Sequence, residues 1–299
     1  MRKCFALFIF ALTYPVFCVG QGVSDSITPI GLTTIAEVNQ GNSYITFPID
    51  VGNIEPLWFE ANLIPNFYIR ESKSSRLIGV LTPQIIIRMY REKSFPVRTP
   101  SYMPQITVYY HLTGNENVEK LRLFGRLGHH SNGQDGDFYL ENGEVNLKSG
   151  NFSTNYFEVG IIKTNFVNYL NAHQFFKTSI EVHPESWSDK ELKGKYSVIR
   201  WHNTFSVFKL PVLDNQSSKG KTRISFNAEA TWLFGEVNNW NGWYLNRLNL
   251  MFTFFYHPQF FEDIGLFVQL YHGMDYYNIY FNHQLNIIRF GIMTETLRF

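Results

Sequence analysis

From Arg223 to Phe234 the even positions are apolar (Ile224, Phe226, Ala228, Ala230, Trp232, Phe234), and most odd positions are polar or charged. Ile264, Leu266, Val268 and Leu270 repeat the period, with Gly265, Gln269 and Tyr271 between them. A period of two is that of a β-strand with one wetted and one apolar face. Segments of this kind are expected at residues 43–50, 58–70, 77–91, 105–112, 120–131, 153–163, 174–183, 196–209, 222–235, 243–256, 264–271 and 285–299. That makes about twelve strands, each close to the roughly 9–11 residues that a tilted strand needs to cross a bilayer. A soluble sandwich also alternates, but its strand ends carry no aromatic girdle. Here Trp58, Tyr90, Trp232, Trp243, Tyr244 and Tyr256 stand at strand ends. The pattern predicts an all-β, transmembrane, antiparallel up-and-down β-barrel over residues 43–299. Residues 21–42, polar and Thr-rich without a clear period, are expected as an N-terminal periplasmic arm.

Composition sharpens the address. Arg2 and Lys3 precede an apolar run that ends in small residues near Gly20, the pattern of a secretory signal over residues 1–20, with Gln21 the first mature residue. Both cysteines, Cys4 and Cys18, fall in that segment, so the mature chain is expected to hold no disulfide and no thiolate chemistry. Loss of the segment takes the formal net charge from +1 to −1, which gives no footprint for nucleic acid. Aromatic residues make up 17% of the chain, too many for disorder, and no later stretch supplies the roughly 20 apolar residues of a membrane helix. The chain closes on Phe299 after an amphipathic segment, as outer-membrane barrels do. Together these point to the bacterial outer membrane, with the long polar loops 133–152, 184–195 and 214–221 outside the cell.

One stretch carries candidate chemistry. Leu121, Leu123 and Leu127 share a strand face, and continuing the register puts His129 and Ser131 on it. Asn155 opens the next strand, on the face of Phe157, Val159 and Ile161. If the two strands are neighbours, a hydroxyl, an imidazole and a carboxamide converge on an apolar surface. Ser is a nucleophile only beside a base, His has the pKa range for one, and a carboxamide can orient the imidazole without placing charge against lipid. A Ser and a His two apart also arise by chance, so the residues alone leave a structural role open. His130, adjacent to His129, points to the opposite face. The acidic residues of the 133–152 loop are read as solvated, and Glu158, Arg200, Arg223, Glu229 and Arg247 as an interior polar network.

At these residues the chain resembles the outer membrane phospholipase A family. The signature places His and Ser two apart before Asn-Gly, as in His129-His130-Ser131-Asn132-Gly133, with an Asn opening the next strand, as in Ser153-Thr154-Asn155. Residues 267–273, 278–282 and 289–291 resemble the closing hairpin of the family, and 90–94 and 98–105 its earlier segments, so the likeness runs from about Leu77 onward. The resemblance implies a twelve-stranded barrel that cleaves acyl esters of glycerophospholipids and lysophospholipids, calcium-dependent and active as a homodimer. Ser131 is then the nucleophile, His129 the base and Asn155 the orienting amide, with the Ser131 backbone N–H in an oxyanion hole. It also implies Ca²⁺ held by Ser94, Gln134 (through its carbonyl) and Asn151. The 133–155 loop is longer than in the typical family member, Gln134 replaces an Arg, and Asn151 replaces a Ser. The alternatives are a barrel of the same kind with a decayed site, acting as a channel or binding protein, and a soluble exported β-sandwich.

Overall fold

The computed structural model describes residues 30–47, 57–70, 75–112, 120–209, 224–238, 240, 242, 244–258, 260–261 and 264–294. The export signal over residues 1–20, Arg223, Trp243 and the closing Phe299 lie outside the described residues. The strands are β1 (Tyr44–Thr46), β2 (Leu57–Leu63), β3 (Phe67–Ile69), β4 (Leu77–Tyr90), β5 (Ser101–His111), β6 (Lys120–Ser131) and β7 (Ser153–Val167). They continue as β8 (Ala172–Val182), β9 (Ile199–Lys209), β10 (Ile224–Phe234), β11 (Leu248–Tyr256), β12 (Ile264–Met274) and β13 (Gln284–Thr294). One helix, α1 (Leu32–Gln40), precedes them.

Each strand from β4 to β13 pairs antiparallel with its neighbours in sequence, and β1 closes the ring by pairing with both β13 and β2. Leu63 of β2 faces Ile85 and Phe67 of β3 faces Leu81, so both lie along β4 as two halves of one stave. The break between them contains Pro65, which has no N–H to give to a ladder. Thirteen strands therefore make a closed barrel of twelve staves. Closure removes the edges that could not be tolerated in lipid.

The alternation reads directly onto the two faces. In β12, Ile264, Leu266, Val268 and Leu270 point out, and Gly265, Phe267, Gln269 and Tyr271 are buried inside. Trp58, Tyr244 and Tyr256 are exposed at strand ends, as expected of a girdle. Tyr90 is not: it is 1% exposed, because it shares the inward parity of Ile86 and Arg88.

The stretch read as lacking a period contains α1. Leu32, Ile35, Ala36 and Gln40 recur at helical spacing and are the buried face, and Gly41, with φ 80°, ends the helix. That face packs inside the barrel on Ile78, Val80, Tyr109, Phe124, Ile162 and Phe175. Gln40 anchors it by donating to Thr107 (3.0 Å) and accepting from Gln105 (3.2 Å) and Arg126 (3.3 Å). The opposite end of the lumen is filled by a second apolar cluster that includes Phe138, Phe152, Tyr196, Tyr277, Tyr280 and Phe281.

Between the two caps lies a polar layer around a cavity of about 350 Å³. Glu60, fully buried, accepts from Arg88 (2.7 Å), Arg289 (2.6 Å), Tyr44 (2.6 Å) and Tyr276 (2.8 Å), and Arg88 also pairs with Asp275 (2.9 Å). Two carboxylates and two guanidiniums balance, which is the condition for holding charge away from water. Glu60→Gln leaves a guanidinium uncompensated and is expected to cost about 3–5 kcal/mol of stability. Urea unfolding of the refolded barrel in detergent micelles measures it, and a loss below about 1 kcal/mol, the level of an exposed pair, contradicts this account.

Candidate active site

The register of β6 against β7 fixes the site. Leu123 faces Ile161, Leu127 faces Phe157, His129 faces Asn155 and Ser131 faces Ser153. Leu127 and Val159 are 56% and 51% exposed, so this face is the outward, apolar wall of the barrel. His129, Ser131 and Asn155 continue it at the end of the barrel where the long loop 133–152 emerges. On the other side of β6, Tyr102 of β5 stands opposite Ser131.

His129 Nδ1 lies 2.8 Å from Asn155 Oδ1. The amide group of the same carboxamide, Asn155 Nδ2, donates to the Trp187 carbonyl at 2.9 Å. A carbonyl can only accept, so Trp187 fixes which end of the amide faces the imidazole. Asn155 Oδ1 then requires a proton on His129 Nδ1, which leaves the lone pair on Nε2. Ser131 lies two residues along the same strand face, on the side of Asn155 away from the leucines.

The segment that supplies the Trp187 carbonyl is strapped along the start of β7. Asp189 N–H donates to the Ser153 carbonyl (2.9 Å), and Thr154 forms a bridge with Ser188. Behind the strap, Thr154 Oγ1 contacts Ser188 Oγ (2.7 Å) and His183 Nδ1 (3.0 Å), and His183 Nε2 meets Glu181 at 2.7 Å. Thr154 and Ser188 meet on the inner side, so Trp187 and Asp189, one residue to either side of Ser188, belong to the outer side with the candidate residues. The sequence gives no signal for Trp187, because a backbone carbonyl has no residue type.

Two neighbours in the motif shape the turn. Asn132, buried, donates from Nδ2 to the Gly150 carbonyl (2.8 Å) and accepts from the backbone N–H of Phe152 (3.0 Å) and Gln134 (3.2 Å), clasping both ends of the long loop. Gly133 has φ 64°, a backbone region that glycine enters without strain. His130 points inward and packs edge-on against Phe152, with ring centroids 4.9 Å apart.

The three residues implied for Ca²⁺ are brought together only in part. Gln134 and Asn151 lie on opposite sides of the loop near where it closes: Gln134 N–H donates to Asn132 Oδ1 (3.2 Å), Asn151 N–H donates to the Gly136 carbonyl (2.9 Å), and Gly136 bridges Gly150. Ser94 lies on the exposed turn between β4 and β5, with φ 69°, and among the described residues it makes no hydrogen bond to either. Oxygen donors of this kind suit Ca²⁺, but among the described residues no cluster of three or more His, Cys, Asp or Glu could hold a metal.

No family model matches the chain, and no curated protein does. Solved structures do. Outer membrane phospholipase A from Escherichia coli is similar over 89% of this chain and 99% of that chain, with TM-score 0.59 and 11% identity. An active-site mutant of that enzyme gives TM-score 0.57 at 12% identity over 92% of this chain and 95% of that one. The Salmonella typhi outer membrane phospholipase, a dimer with bound calcium, gives 0.55 at 13% identity over 92% of this chain and 94% of that one. At such identity the likeness shows the barrel fold.

The amide clamp has a spectroscopic consequence. In ¹⁵N-histidine spectra of the refolded protein above the imidazole titration, His129 is expected as the Nδ1–H tautomer, and Asn155→Ala should shift it towards Nε2–H. A His129 tautomer that ignores Asn155→Ala contradicts the clamp.

Proposed function

We propose that this barrel is an outer-membrane esterase of the phospholipase A1/A2 type, removing acyl chains from glycerophospholipids and lysophospholipids. The observation that carries the reading is the 2.8 Å contact of His129 with Asn155 on a lipid-facing wall, with Ser131 in the same row of side chains. Chemistry placed there meets an acyl ester without lifting it out of the bilayer. The fold likeness to outer membrane phospholipases supports the choice of substrate.

In the proposed reaction Ser131 Oγ attacks the ester carbonyl carbon while His129 Nε2 takes its proton. The imidazolium is held by the Nδ1–H bond to Asn155 Oδ1, and the Ser131 backbone N–H faces the developing oxyanion. Collapse of the tetrahedral species expels the lysolipid oxygen, which takes the proton from His129. Water then attacks the acyl-Ser131 ester with His129 again as base, releasing the fatty acid. Calcium, when bound, supplies positive charge near the oxyanion; Gln134 and Asn151 are the candidates to hold it, with Ser94 assigned by resemblance alone. A homodimer, the state named for the Salmonella typhi neighbour, is the proposed active form. The chain is proposed to reach the outer membrane by export and loss of residues 1–20, with residues 21–42 on the periplasmic side.

For the runner-up, a channel or binding protein with a decayed site, the channel form is opposed by the two apolar clusters that occupy the lumen towards its two ends. The test is hydrolysis of a short-chain phospholipid by protein refolded in detergent with Ca²⁺. Ser131→Ala is expected to lower kcat by about 10³-fold or more, and chelation of calcium to suppress turnover of the wild type. Equal turnover by Ser131→Ala removes this reading, and conductance in planar bilayers without esterase activity favours the channel.

A further inference from the structure

The strap grips the start of β7 on both of its faces. Three consecutive residues, Trp187, Ser188 and Asp189, meet three consecutive residues, Asn155, Thr154 and Ser153. The Asp189 contact joins two backbones and fixes where the strap lies. The Ser188 contact with Thr154 joins two hydroxyls, and nothing in the pair itself decides which of them donates. That is decided further into the lumen. Glu181, paired with Arg200 at 3.2 Å, can only accept, so His183 Nε2, 2.7 Å from it, carries a proton. Burial and the charge of Arg200 lower the His183 pKa against the pull of Glu181, so the ring is neutral near pH 7 and its Nδ1 accepts. Thr154, 3.0 Å away and itself fully buried, gives its one proton there. Its lone pairs then face Ser188, which donates to it at 2.7 Å in preference to the more distant Pro184 carbonyl at 3.2 Å. Tyr156 and Tyr196 pack on the imidazole, each with its ring centroid 5.1 Å away, and hold it against Thr154.

Taking Ser131 as the nucleophile, as proposed above, we infer that Thr154 is a positioning residue for that site: its hydroxyl ties Ser188 to the lumen, which keeps the neighbouring Trp187 carbonyl on the Asn155 amide and the amide oxygen towards His129. Thr154 points inward and touches neither the substrate nor the reacting atoms. It acts through the strap. With the hydroxyl gone, Ser188 turns to Pro184, inside its own loop, and the backbone bond of Asp189 alone ties the strap to β7. The Trp187 carbonyl is then no longer held to one place, and the carboxamide of Asn155 is free to turn over. A turned amide offers Nδ2 to His129, which puts the imidazole proton on Nε2, the atom that must take the proton of Ser131. Substrate still binds in that state, but the base is blocked. The loss therefore falls on kcat and not on KM.

The experiment compares Thr154→Val, which keeps the shape and removes the hydroxyl, with Thr154→Ser, which restores the hydroxyl, and with Ser188→Ala. Each full chain is refolded in detergent, and both the His129 tautomer in ¹⁵N-histidine spectra and the hydrolysis of a short-chain phospholipid are measured. Thr154→Val and Ser188→Ala are each expected to shift His129 part of the way towards Nε2–H, by less than Asn155→Ala does. Each is expected to lower kcat about tenfold with KM unchanged, the scale of one buried hydrogen bond. Thr154→Ser should recover both readouts, and the double variant should lose no more than either single one. Ser188 stands in the loop, outside the strands, so its variant tests the contact even if Thr154→Val does not fold. A wild-type tautomer in Ser188→Ala or in folded Thr154→Val overturns the inference, as does a Thr154→Ser no better than Thr154→Val. So do losses that multiply in the double variant. The tautomer is read without turnover. A shift in a barrel that hydrolyses nothing upholds the grip on Asn155 and removes the Ser131 reading, whereas an active wild type with no shift in the variants removes this inference alone.

Discussion

The register between β6 and β7 is the constraint on which the rest depends. Strand side chains alternate, so a slip of one residue exchanges every inward group for an outward one. Inside the barrel, Arg126 meets Glu158 at 2.8 Å, and Ser179 donates to the same carboxylate at 2.6 Å. The ring of Tyr156 lies over Gly128, where an added Cβ would come within 2.2 Å of it. Those inward contacts cannot be kept if the pair slips. The same alignment, on the other side of the same two strands, sets His129 against Asn155 and Ser131 against Ser153. The lumen thus holds the alignment and the lipid face presents its result.

The side-chain arrangement proposed as reactive on the outer wall needs rigid support, because bilayer contacts are non-directional. The support comes from three places. Asn132 ties the two ends of the 133–152 loop, the strap from Trp187 to Asp189 lies against the start of β7, and the aromatic cluster of Phe152, Tyr196 and Phe281 fills the lumen behind them. The candidate residues stand on strands and their immediate continuation, the kind of element that holds geometry closely. At the far end, α1 closes the lumen through apolar burial and the Gln40 contacts, so the barrel wall is braced from within at both ends.

Much of this was legible in the chain because a closed sheet has only one period. The twelve staves, the outward face of Leu127 and Val159 and the meeting of His129 with Asn155 all follow from counting alternate residues along two consecutive strands. Parity also placed Tyr90 inside, beside Arg88, although its position at a strand end suggested a girdle. The helix Leu32–Gln40 escaped because nine residues give barely more than two turns, and Asn39 and Gln40 on its inner side are polar. The Glu60 network could not be read at all. Arg88 lies 28 residues away and Arg289 lies 229 residues away, and only closure of the ring brings them to one carboxylate. The Trp187 carbonyl depends on how a loop folds back, where no period operates.

The central claim is that the hydroxyl of Ser131 is activated by His129 on the membrane face. Labelling the refolded protein with a fluorophosphonate, then mapping the modified residue by mass spectrometry, tests it most directly. The account predicts one modified residue, Ser131, with labelling lost in His129→Ala. Labelling at a different residue, or at Ser131 undiminished without His129, would contradict it.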